Sequence, residues 1–89
     1  MADLRPSRAA LREWLKVEGR TQAVLAEAIE VSQQTISSLA SGRILSPSRD
    51  LAKLIEIATG IDADGWFTPS ERKAWGRRVS RAQALRARP

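Results

Sequence analysis

The 89-residue chain contains neither cysteine nor histidine. Without cysteine there is no disulfide framework and no thiolate zinc site. Without histidine the commonest general base and metal ligand is missing. No apolar run approaches the length of a membrane span or a signal peptide, so a soluble cytoplasmic protein is expected. Aromatic side chains are few: Trp14, Trp66, Phe67 and Trp75. Nothing pairs a nucleophile with a base, and Glu27, Glu30 and Asp50 read as solvated helix charges. No enzyme, cofactor or bound metal is expected. A chain of this length makes one small domain with a modest core, of a kind that often gains stability by dimerising. Helix formers dominate, and the fold class expected is all-α.

The most informative stretch is 21–42, TQAVLAEAIEVSQQTISSLASG. It reads as two short helices joined by a tight turn. Thr21 caps the first, with Val24, Leu25, Ala28 and Ile29 as its expected buried face. Ser32 caps the second, whose apolar positions Ile36, Leu39 and Ala40 fall at i, i+3 and i+4. Ala26 is small enough to sit where the helices cross. Gln33, Gln34, Ser37, Ser38 and Ser41 are expected on the outer face of the second helix, which carries no charge. Short amides and hydroxyls offer both donors and acceptors, as a helix against base edges in a major groove requires.

These residues resemble the helix-turn-helix of the phage Cro and repressor proteins, the Xre-type regulators. The similar features are Thr-Gln opening the first helix, Leu-Ala within it, Val-Ser at the turn, Gln-Gln-Thr-Ile-Ser opening the recognition helix and Ser-Gly-Arg closing it. Pro47, before another helix, also fits. The resemblance runs more weakly over 11–67. It implies a compact five-helix domain of the lambda-repressor type, with the recognition helix at 32–41. The family usually places glycine in the turn, where the backbone tends to be left-handed; this chain has Glu30, at a cost of about 1 kcal/mol.

Charge is unevenly spread. Residues 1–67 carry eight basic and nine acidic side chains, a net of −1, whereas 68–89 carry seven basic ones against Glu71 alone, a net of +6. The chain therefore divides into a helix-turn-helix domain, 1–67, and a basic C-terminal helix and tail, 68–89. The tail is either a solvated end or a contact for a polyanion, and the neighbouring motif favours phosphate. Elsewhere, a first helix is expected over 7–18, with Leu11, Trp14 and Leu15 inward and Gly19 ending it. A fourth begins with Ser46 as cap and Pro47 at its first position, buries Leu51, Leu54, Ile55 and Ala58, and stops at Gly60. Thr68 and Glu71 form a capping box for a fifth helix bearing Ala74, Trp75, Val79 and Ala82, interrupted by Gly76 and frayed from Leu85.

The resemblance implies that Gln33 and Gln34 face bases, where glutamine pairs bidentately with adenine; the alternative is an ordinary polar helix surface. Ser37 and Ser38, one turn on, reach either a base or a phosphate. Gln22 is placed as in the family to bind a phosphate and brace Gln33; the alternative is a helix-start amide facing solvent. Thr21 is a helix cap first and a phosphate ligand second. Arg43, and more weakly Arg49, are expected at the DNA backbone. Trp66, Phe67, Trp75 and Val79 either complete the core or form a two-fold interface, as C-terminal elements do in the resembling family. The function implied is a repressor of phage, prophage or bacterial origin that binds a palindromic double-stranded operator as a homodimer. The alternative is the antitoxin of a toxin–antitoxin pair, regulating its own operon and holding a protein partner through 68–89. Either would be bacterial, cytoplasmic and nucleoid-associated when bound.

Overall fold

The computed structural model describes residues 4–88. Five α-helices follow one another: α1 (Pro6–Leu15), α2 (Gln22–Ala28), α3 (Gln33–Ser41), α4 (Arg49–Thr59) and α5 (Pro69–Arg86). A single 3-10 turn, Asp64–Trp66, precedes α5. No strand occurs among the described residues, so the molecule is all-α, as the composition implied.

Local chemistry sets most helix ends. Thr21, Ser32, Ser48 and Thr68 each accept a backbone N–H three residues on, and Gly42 and Gly60 close α3 and α4 in left-handed conformation. Pro6 opens α1, which ends three residues earlier than its sequence pattern suggests. There Lys16 and Val17 donate to the carbonyls of Glu13 and Trp14, i→i−3 bonds that tighten the last turn before Gly19 reverses the chain. At α4 the expected cap moves from Ser46 to Ser48. Pro47 is buried ahead of the helix rather than forming its first residue, and the next serine takes the cap.

The core joins Leu11, Leu25, Ala26, Ile29, Ile36, Leu39, Ala52, Ile55, Ile61, Trp66 and Phe67. Two expected faces are rotated. On α2 the inward residues are Leu25, Ala26 and Ile29, while Val24 and Ala28 are exposed. Ala26 lies buried on the inner side of α2, which packs against α3. On α4, Ala52 and Ile55 are fully buried and Leu51 half so, but Leu54, Ile57 and Ala58 face solvent. Trp66, fully buried, joins the core instead.

Trp66 and Phe67 are thus core residues of the single chain. The 3-10 turn that carries Trp66 is clamped to α1. Ser7 Oγ donates to the Asp62 carbonyl (2.5 Å) and Arg5 to the Trp66 carbonyl (2.8 Å). Gly65 lies so close to Ser7 that a Cβ there would overlap the serine hydroxyl. The capping box of Thr68 and Glu71 starts α5, and Arg5 pairs with Glu71 at 2.8 Å. Beyond this base α5 buries no residue; it passes through Gly76 without a break and reaches Arg86.

Candidate nucleic-acid interface

The path from α2 to α3 ends in a Schellman motif. Val31 N–H donates to the Ala26 carbonyl (2.9 Å) and Glu30 N–H to that of Glu27 (3.3 Å). This requires a left-handed residue at position 30, and Glu30 adopts φ +58°, the one non-glycine with positive φ among the described residues. The turn keeps the geometry that glycine would favour despite carrying a carboxylate. Thr35 N–H and hydroxyl both bond the Ser32 hydroxyl, at 3.1 and 2.8 Å, fixing the first turn of α3.

Ile36, Leu39 and Ala40 hold α3 to the core, which leaves Gln33, Gln34 and Ser41 exposed and Ser37 half-buried on the other side. Ser38 does not join them: it is only 6% exposed. The chain leaving α3 folds back, with Ile44 N–H donating to the Ser38 carbonyl at 3.1 Å. Ser41 is occupied locally, donating to that same carbonyl and accepting from Arg43 N–H. Thr21 is exposed and caps α2; Gln22 is half-buried at the first position of α2. No hydrogen bond joins Gln22 to Gln33 among the described residues.

The arginines divide in a way the sequence does not announce. Arg8 donates to the Leu45 carbonyl (2.8 Å) and Arg12 to the Ala40 carbonyl (2.6 Å). Arg12 thus serves the carbonyl end of α3, where the helix dipole is negative, and Arg8 holds the loop that follows it. Their only sequence signal is i,i+4 spacing on α1; their partners lie 37 and 28 residues away. Arg49 lies over the rings of Phe67 and Trp75, 4.0 and 4.7 Å from their centroids, and 3.9 Å from Asp64. It ties the base of α5 to α4. Arg5 pairs with Glu71, Lys16 with Glu13, and Lys53 with Glu56, and Arg20 stacks on Trp14. Among the described residues up to Phe67, Arg43 is the basic side chain with no partner inside the protein. It stands exposed just past the C-terminal end of α3.

An uncharged, exposed helix face, held by a second helix across a tight turn and followed by an uncommitted arginine, is the apparatus of a helix-turn-helix DNA-binding regulator. The sequence model of the Cro/C1-type helix-turn-helix family, HTH_3, matches residues 11–66, more than half of the chain, and the protein belongs to that family. No curated protein and no solved structure matches it. The chain is therefore a DNA-binding transcriptional regulator. No helix among the described residues is long and apolar enough to cross a membrane.

Proposed function

We propose that the protein is a repressor that binds a palindromic operator as a homodimer, with α3 in the major groove. The observation that carries this reading is the first turn of α3, where Gln33 and Gln34 stand exposed on a helix without a single charge. Amides there gain from pairing with base edges and have no internal partner to lose. Ser37, half-buried one turn on, is the second candidate for base or sugar contact. Thr21, Gln22 and Arg43 would meet phosphates, Arg43 adding affinity without sequence preference. Occupancy of the operator would exclude polymerase, with no chemical step.

The homodimer draws support from α4 rather than from the C-terminal aromatics. Leu54, Ile57 and Ala58 form an outward apolar stripe at i, i+3 and i+4, and Ile57 is 72% exposed. The helix is neutral overall, with Arg49 and Lys53 against Asp50 and Glu56, so two copies meet there without net repulsion. Trp75 is partly exposed and Val79 half-buried, but the Trp75 ring already faces Arg49 and Arg78. Two copies of α5 would bring together strongly like charges.

Selection of bound sequences from a random DNA pool, followed by Gln33→Ala and Gln34→Ala, tests the reading. Each substitution should cost about 1–3 kcal/mol on the selected operator and little on random DNA. Equal weakening on every sequence would refute base reading by these glutamines.

A further inference from the structure

We propose that α5 is a second DNA-binding element, a rigid basic arm that grips backbone phosphates beyond those reached by α3 and Arg43. This rests on the family's DNA binding and not on the operator reading above.

The inference begins with a shortage. The body of the protein uses its cations internally, and Arg43 alone is left over among the described residues up to Phe67. One positive charge neutralises little of a polyanion whose contacts set non-specific affinity. The surplus lies in α5. Lys73, Arg77 and Arg81 recur every fourth residue, so they share one face, and each is exposed without an internal partner. No acidic residue follows Glu71.

Two features argue against a merely solvated end. First, α5 spans 18 residues, about 27 Å, without burying one of them, so core packing does not account for it. Like charges four residues apart oppose an isolated helix, and here the opposition is repeated along its length. No acidic side chain beyond Glu71 lies along the helix to offset it. Second, the base of α5 is anchored on three sides. The capping box closes its start, Arg5 holds Glu71, and Arg49 lies over Trp75 beside Pro47 and Ser48. A helix fixed at one end and charged along the rest presents its cations in a set direction, at a rise of about 6 Å between successive members. A phosphate backbone supplies a continuous line of acceptors for that array.

The test is the salt dependence of binding to a fluorescent duplex of random sequence, about three helical turns long. Removal of one phosphate-binding cation should reduce the slope of log K against log salt by about 0.9. The full chain carrying Lys73→Gln, Arg77→Gln and Arg81→Gln should show a slope shallower by roughly two to three units. Its circular dichroism and unfolding midpoint should be retained or raised, because these positions bury nothing and their like charges repel. A control lacking Lys16 and Lys53, both paired on the body, should shift the slope by less than one unit. An unchanged slope in the triple variant would overturn the proposal and leave the arm for an acidic protein surface. An equal shift per charge in the control would also overturn it, reducing the effect to net charge. Preference for the selected operator over random DNA should survive in the triple variant. Loss of that preference with Gln33→Ala, but not here, separates the failure of either reading from the other.

Discussion

Replacing Glu30 by glycine should stabilise the protein and strengthen DNA binding together. Glu30 holds φ +58° because the Schellman bonds of Val31 and Glu30 demand it. A residue with a Cβ spends about 1–2 kcal/mol in that conformation. Glycine removes this strain but frees the unfolded chain, returning about 0.5–1 kcal/mol. The net gain lies between about 0 and 1.5 kcal/mol, and for a domain of this size 1 kcal/mol moves the midpoint by about 4–8 °C. Thermal unfolding followed by circular dichroism reads it directly. Glu30→Ala separates the two effects, since alanine removes the carboxylate but keeps the Cβ and its strain. The glycine variant should therefore be the more stable of the two, while both lose a negative charge beside α3 and bind random DNA more tightly. If alanine proved as stable as glycine, the left-handed turn would not be the source of the gain.

Arg43→Ala should weaken all sequences alike and reduce the salt slope by roughly one unit, measured by fluorescence anisotropy. Ile57→Asp should shift sedimentation towards monomer and make operator binding strongly concentration-dependent, with the fold retained because Ile57 lies outside the core. Acid should act through Glu56 and Glu71. Lys53, then the Ala63 N–H, holds the Glu56 carboxyl below its usual value near 4.5, and the Thr68 N–H, then Arg5, does the same for Glu71. Both carboxylates thus contribute stability at pH above that value and lose it as pH falls through their lower native ones. Denaturant midpoints between neutral and strongly acid pH should show this, and Glu71→Gln should flatten part of the decline.

Local features were legible in the residues themselves. The caps of Thr21, Ser32 and Thr68 and the stops at Gly42 and Gly60 all appear where the pattern places them, because each is an interaction between near neighbours in the chain. The apolar spacing of Ile36, Leu39 and Ala40 likewise identifies the inner face of α3. What faces a helix from across the fold cannot be read that way. Val24 and Leu54 suit burial as well as Ala26 and Ala52 do, and only the close approach of other elements excludes them. Ser38 looks like a member of the outer face, yet the fold buries it. Trp66 and Phe67 suggest an interface by their size, yet they fill the interior that short helices leave open. Composition by itself determined a small, all-α, cysteine-free domain with a basic end. Which arginines are free for DNA was decided by tertiary structure alone, because an arginine is committed by carbonyls and rings brought to it from distant parts of the chain.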